Sequence, residues 1–353
     1  MKKLLLGNAA AARGLFEAGC SFVSSYPGTP STEITEEAAR YPEVYAEWAP
    51  NEKCALEAAL GASIAGARAL CAMKHVGLNV AADPLYTAAY TGVNGGLVVA
   101  VADDPGMHSS QNEQDSRHHA MASKVPMVEP ADSGECRDFM KLAFELSEKF
   151  DTPVLFRTCT RVAHSQSLVE LNDRQELPLK EYVKDPRKYV MAPGNAIPRH
   201  VVVENRTEKL REYGEDCPFN RVEMNGKEWG VITSGISYQY VKEALPEASV
   251  LKLGLVCPLP EKLIRDFASK VESWPWWRSW TPSSRPTWPP LGSRWIWERR
   301  NWGCWASSPR TASGPPSARL CPRARSWKRP CPSGPRCSAP AAPTAGSSTC
   351  STS

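Results

Sequence analysis

No two of the first seven cysteines form a C-x-x-C pair: Cys20, Cys54, Cys71, Cys136, Cys159, Cys217 and Cys257 stand singly and far apart. That excludes a disulfide framework and a zinc ribbon, and it fits reduced, mostly buried thiols of a cytoplasmic protein. Long apolar runs are missing as well. GGLVVAVA at 95–102 is far short of the roughly 20 residues that span a bilayer, and Met1-Lys-Lys-Leu-Leu-Leu leads into Gly-Asn rather than a signal-peptide core, so no membrane partner is expected. DDPGMHSSQNEQDSRHHA (103–120) is rich in carboxylates and histidines, but it has neither H-E-x-x-H nor EF-hand spacing, and no metal ligand is assigned there.

The sequence changes character near Glu272. From Ser273 onward there is no Val, Phe, Tyr, Asp or His, whereas ten of the twelve tryptophans lie between Trp274 and Trp327. Eleven Arg, one Lys and one Glu give that stretch a charge of +11, so the +4 of the whole chain leaves −7 for residues 1–272. The basic character belongs to the tail alone. One reading is a disordered basic tail that binds nucleic acid through Arg and Trp. Its wealth of tryptophan counts against that, because disordered segments are poor in aromatics. A shifted reading frame is the other, and tryptophan makes it testable because it has a single codon. When the last base of each codon is joined to the first two of the next, Trp274-Pro275, Trp276-Trp277 and Trp280-Thr281 must give Ala, Val and Asp. With G or C at the free positions, SWPWWRSWTPSS (273–284) decodes as ELAVVEELDPFF, a strand and an acidic turn. RCSAPAAPTAGSSTCST (336–352) decodes under the same shift as VLCPGCPHRGVFYVLN. One shift accounts for both ends, so 273–353 is read as a frameshifted, non-native and disordered tail, with no nucleic-acid partner.

Before the break, short apolar runs alternate with helical patterns: SFVSSYP (21–27), a helix from Ser31, a helix over 52–67, RALCAMKH (68–75), a helix near 80–90, GLVVAVADD (96–104), VPMVEP (125–130), a helix over 133–149 and TPVLFRTC (152–159). This rhythm predicts an α/β fold with a doubly wound parallel sheet over 1–162. Residues 163–225, with mixed charge, scattered prolines and weak periodicity, are read as a linker that wraps the first domain. A partial second α/β domain over 226–272 starts at WGVITSG (229–235), passes a helix at 237–245 and VLKLGLVCPLP (250–260), and ends in a helix near 271.

In such a sheet ligands bind beyond the carboxyl ends of the strands, and the polar, glycine-rich punctuation falls there. YPGTPSTEI (26–34) is a Gly-Thr-Pro turn feeding a helix, which presents hydroxyls and free N–H groups to an anion. The plainer reading makes Ser31 or Thr32 an N-cap, with a Glu near the third position closing a capping box. Glu52 opens the helix of NEKCALEAALGASIAGARALCAMKHVGLN (51–79), where the helix dipole alone would favour an acid; Glu57 is the runner-up carboxylate. Lys74 and His75 are polar groups at a strand end, although a lone His is more often a structural residue. Arg117 ends the acidic 103–117 loop and is a candidate partner for an acidic substrate or a neighbouring subunit.

Taken in order, YPGTPSTEI, NEK…GASIAGARAL, MKHVGLNVAADP and DDPGMHSSQNEQDSR resemble the alpha subunits of indolepyruvate ferredoxin oxidoreductases, thiamine-diphosphate enzymes of the 2-oxoacid:ferredoxin oxidoreductase superfamily. The resemblance covers 1–272 directly and the tail only after decoding, where the second decoded string resembles the start of a thiamine-diphosphate domain. It implies that 1–162 is the pyrimidine-binding domain and that Glu52 is the activating glutamate. That carboxyl group hydrogen-bonds the aminopyrimidine nitrogen, so that the cofactor removes its own thiazolium proton. Thr29 would meet the carboxylate of the 2-oxoacid, with Arg117 as a second substrate contact, and Lys74, His75 and Asn79 would bind the cofactor. The complete enzyme would convert indolepyruvate and other aryl 2-oxoacids to aryl-acetyl-CoA, using coenzyme A, ferredoxin and a beta subunit. Family chains continue into a diphosphate-binding domain with an acidic Mg²⁺ motif and a segment whose cysteines hold [4Fe–4S] clusters. Neither motif occurs in this sequence, so the chain as written is expected to be inactive. Two other function classes remain at this point: a non-oxidative thiamine-diphosphate enzyme of the decarboxylase or acetolactate-synthase type, and a non-enzymatic α/β binding module with a basic tail.

Overall fold

The structure, a computed structural model, describes residues 1–273 and the short strand Trp276–Trp277. Apart from Ser273 and that strand, the expectation for 273–353 lies outside the described residues. Strands β1 (Lys2–Leu6), β2 (Phe22–Ser25), β3 (Tyr45–Trp48), β4 (Ala69–Lys74), β5 (Leu97–Asp103), β6 (Met127–Val128), β7 (Val154–Cys159) and β8 (Gln166–Glu170) alternate with helices α1 (Gly7–Glu17), α2 (Thr32–Ala38), α3 (Glu52–Ile64), α4 (His75–Val80), α5 (Ala82–Thr91), α6 (Arg117–Ser123), α7 (Ser133–Phe150) and α8 (Thr160–His164). Then come α9 (Pro186–Tyr189), α10 (Pro193–Glu215), β9 (Arg221–Glu223), β10 (Gly230–Ser234), α11 (Ser237–Ala244), β11 (Ser249–Leu253), β12 (Leu255–Cys257), α12 (Glu261–Ser269) and β13 (Trp276–Trp277).

Seven strands form the large sheet in the order β12-β6-β7-β5-β4-β2-β3, parallel throughout except for β12 at its edge. This is the doubly wound α/β sheet that the sequence rhythm predicts. Alternate residues of its central strands feed two separate cores. Leu70, Ala72, Val98, Ala100, Val154 and Phe156 pack with α1 and α7, and Cys71, Met73, Val99, Val101 and Leu155 pack with α3 and α5. Burial on both faces is why these strands read as unbroken apolar runs. A second sheet, ordered β13-β10-β11-β9, is parallel except for β9, and β1 pairs antiparallel with β8 outside both.

Three local readings change. The run 250–260 is not one strand but two, β11 in the second sheet and β12 in the large one. The break falls at Gly254, where a Cβ would stand 2.2 Å from the Phe219 carbonyl oxygen, so the chain turns where only glycine fits. The helix near 80–90 is α5, and a further helix that the sequence reading lacks, α4, precedes it, starting at His75 directly after β4. The weakly periodic stretch 163–225 contains the 23-residue α10. Its buried stripe is Val203, Arg206, Leu210 and Gly214, while Ile197, Val201 and Val202 face solvent, so apolar spacing does not reveal it. Arg206 instead anchors the helix by donating to the Asp151 and Ala89 carbonyls at 2.7 and 2.6 Å.

Candidate functional site at the strand ends

The carboxyl ends of β2, β3, β4 and β5 deliver the four segments singled out in the sequence to one rim of the large sheet. After β2, the turn closes on itself: the Ser31 amide and hydroxyl both donate to the Gly28 carbonyl, at 2.9 and 2.8 Å, and the Gly28 amide donates to the Thr32 hydroxyl at 2.9 Å. Neither Ser31 nor Thr32 caps α2 through its side chain, and Glu33 accepts from Asn8 instead of closing a capping box. Thr29 is exposed at the tip. The base of the turn is fixed by Ser25, whose hydroxyl accepts from Thr35 at 2.7 Å and from the Ala72 amide at 3.0 Å.

After β3, Asn51 caps α3 by accepting from the Cys54 amide at 2.9 Å, which makes Glu52 the first helical residue. Glu52 is half-buried, and its side chain lies on the bare backbone of α4: a Cβ at Gly77 would stand 2.4 Å from Glu52 Oε1. Among the described residues no donor hydrogen-bonds the Glu52 carboxylate, so its acceptor capacity is open. Glu57 points elsewhere. It is half-exposed and lies 3.9 Å from Lys53.

After β5, residues 104–116 fold over this rim. Lys74 Nζ donates to the Ser109 carbonyl at 2.6 Å, and His75 Nε2 lies 3.1 Å from the Asn112 carbonyl. A carbonyl only accepts, so Nε2 donates in that contact, and Nδ1 is buried without a partner among the described residues. Asp104 is the loop's internal knot, accepting from the Ser109 amide at 2.8 Å, Ser110 at 2.6 Å and Thr160 at 2.7 Å. Burial pushes its carboxyl up, but the bonds from Ser110, Ser109 and Thr160 outweigh that and hold it well below the ordinary carboxylate range.

Thus Glu52, Thr29, Lys74 and His75 share the rim, the last three through the 104–116 loop. Asn79 lies on the same helix as His75 and is exposed. Arg117 is placed differently. It is 5% exposed, with Nε on Asp115 at 2.9 Å and Nη1 3.6 Å from Glu129. It belongs to a buried charge cluster beneath the rim that includes Asp103, Glu129 and Arg157. Arg157 Nε donates to Asp103 at 2.7 Å and Nη1 to Glu129. Burial lowers the Arg157 pKa, and Glu129 and Asp103 more than reverse it. Asp115 is pushed up by burial but held at about 2 by Arg117 and Arg157. Sequence reasoning missed Asp103, Glu129 and Arg157. The available signal was a charged residue inside or ending an otherwise apolar strand, as in TPVLFRTC and GLVVAVADD.

A double-sided parallel sheet with a glutamate-led helix and polar turns at its strand ends defines a cofactor-binding domain of the thiamine-diphosphate type. Residues 13–215 match the family model described as "pyruvate flavodoxin/ferredoxin oxidoreductase, thiamine diP-bdg", and the chain belongs to that family. It is 44% identical over 284 residues to the indolepyruvate oxidoreductase subunit IorA of Archaeoglobus fulgidus, and 46% identical over 287 residues to that of Pyrococcus abyssi. These matches cover 77% and 76% of this chain and 46% and 44% of those proteins, so the chain spans less than half the length of these relatives. A 2-oxoglutarate:ferredoxin oxidoreductase from Magnetococcus marinus, solved with 2-oxoglutarate, coenzyme A and succinyl-CoA bound, shares the fold with a TM-score of 0.66 at 19% identity, over 77% of this chain and 57% of that one. Among the described residues no helix is long and apolar enough to cross a membrane, and no group of three His, Cys, Asp or Glu could hold a metal ion.

Proposed function

We propose that residues 1–162 form the pyrimidine-side half of a thiamine-diphosphate site in the alpha subunit of an indolepyruvate ferredoxin oxidoreductase, with 163–225 as a wrapping linker and 226–272 as part of a second α/β domain. The observation that supports this most is Glu52, a half-buried carboxylate with open acceptor capacity, pressed on the Gly77 backbone at the sheet rim that also carries Thr29, Lys74 and His75. That donor set fits an aminopyrimidine, whose ring nitrogen needs one carboxyl partner in a cleft with little water. When bound, thiamine diphosphate supplies the nucleophilic carbon and electron sink that decarboxylation of a 2-oxoacid needs. Glu52 holds the proton at the ring nitrogen. Thr29, exposed at its turn, meets the substrate carboxylate, while Lys74, His75 and Asn79 line the cofactor's side and the 104–116 loop excludes water. Arg117 reaches the site only through Asp115 and Glu129, and we assign it to positioning rather than to contact.

In the whole enzyme, by likeness to the named relatives, the reaction converts indolepyruvate and other aryl 2-oxoacids to acyl-CoA with reduction of ferredoxin. A beta subunit, Mg²⁺ and [4Fe–4S] clusters would complete it, and we assign the diphosphate and cluster sites to the part of a full-length alpha subunit that this chain does not span. The chain alone is therefore proposed to be inactive. All seven cysteines of the described residues are free, which supports a reducing, cytoplasmic setting.

The test is Glu52→Gln in a full-length alpha subunit assembled with its beta subunit. Size is kept and the proton acceptor is lost, so turnover should fall by about 10² to 10⁴ with the cluster absorption intact. Near-normal turnover would remove Glu52 from this role.

A further inference from the structure

A buried run of hydrogen bonds connects the second sheet to the loop over the candidate cofactor site. Its joint is Glu129, in the turn between β6 and α7 and 3% exposed. Ser234, the last residue of β10, donates its hydroxyl to Glu129 Oε2 at 3.0 Å, and the Glu129 amide donates to the carbonyl of the hinge residue Gly254 at 2.8 Å. On its other side the carboxylate accepts from Arg157, which in turn donates to Asp103. Asp103 accepts from both the amide and the hydroxyl of Ser116, the residue that closes the 104–116 loop. Asp103 and Asp104, adjacent in the chain, thus fix the loop's far end at Ser116 and its middle at Ser109 and Ser110. The middle of that loop sets its carbonyls on Lys74 and His75.

Each of Asp103, Glu129 and Arg157 is almost wholly inaccessible to water, so none can exchange a lost partner for solvent. A displacement at Ser234 must be taken up by Arg157 and Asp103, and so by the loop. We propose that Glu129 is a positioning residue through which docking of the second sheet sets the 104–116 loop over the candidate cofactor site. This goes beyond the cofactor assignment and does not depend on it, because sheet and loop are both in the chain without any ligand.

Amide hydrogen exchange on the full chain tests it. Ser234→Ala removes one hydroxyl that donates to a carboxylate, and exchange at the Ser109 and Ser116 amides is expected to rise on the order of tenfold. Ser234→Thr keeps the hydroxyl and should retain the original protection, and the β4 amides should stay unchanged in both. Val241→Ala, in the apolar core of the second sheet and with no hydrogen bond to the Glu129 carboxylate to lose, is the control for general loosening; it should lower stability without exposing the loop. Glu129→Gln should raise loop exchange further, and where it does not fold the serine pair decides alone. Unchanged loop exchange in Ser234→Ala, or an equal rise in Val241→Ala, overturns the proposal. Failure of the cofactor reading would show separately, as normal turnover of the Glu52→Gln enzyme.

Discussion

At the scale of single residues, buried carboxylates are held by several donors at once. Glu17 is wholly inaccessible, yet it accepts from Arg13, Arg137, Lys141 and the Asn172 amide, and the burial that would raise its pKa is outweighed by the bonds from Asn172, Arg13 and Lys141. Asp115 obeys the same logic, with a carboxyl at about 2 in the fold against an ordinary 3.8. A depressed carboxylate contributes stability that is complete above the unfolded value and is lost as the pH falls through the folded one. Asp115 should therefore contribute fully above about pH 5, and about 1 kcal/mol of its contribution should be gone by pH 3. Urea unfolding of this chain at pH 7 and pH 3 checks this: Asp115→Asn should decline less between the two than the unaltered chain. An identical decline would show that Asp115 titrates normally. Glu52 was legible as a candidate because it opens a helix after a strand. The family resemblance already set it ahead of Glu57, and the fold adds that Glu52 lies on α4 while Glu57 sits beside Lys53.

At the scale of elements, the central strands were easiest to read, because β4, β5 and β7 are buried on both faces and their polar residues, Lys74, Asp103, Arg157 and Thr158, fall at or near the strands' carboxyl ends. Helix α10 was unreadable for the opposite reason: part of its buried stripe is a guanidinium satisfied by distant carbonyls, and no local pattern shows that. The β11–β12 break was equally hidden, because LKLGLVC is a good strand by composition. Gly254→Ala tests the element switch. With the Phe219 carbonyl 2.2 Å from the added carbon, and the Phe139 ring at 2.7 Å, the backbone must shift, at a cost of about 1–3 kcal/mol or more. A midpoint in denaturant unchanged from the parent would mean that the turn tolerates a side chain.

At the scale of the whole molecule, the composition breaks after Glu272, and the match to the Archaeoglobus relative covers 77% of the chain, the same share that residues 1–272 make up. The reading-frame explanation predicts that resequencing the gene around the codon for Glu272 finds a base gained or lost. An intact frame in independent clones would leave the tryptophan-rich tail as authentic sequence and return the basic-tail reading to consideration.

The sequence by itself determined the double-sided parallel sheet, the order of its polar strand-end turns and the break in composition, because these depend on local periodicity and residue type. Only the tertiary structure decided which of those polar residues share a rim. It set Glu52 on Gly77, drew the 104–116 loop onto Lys74 and His75, and placed Arg117 below the rim in a charge cluster with Asp103, Glu129 and Arg157. Burial and counter-charge are properties of residues far apart in the chain, and they exist only once the strands are side by side.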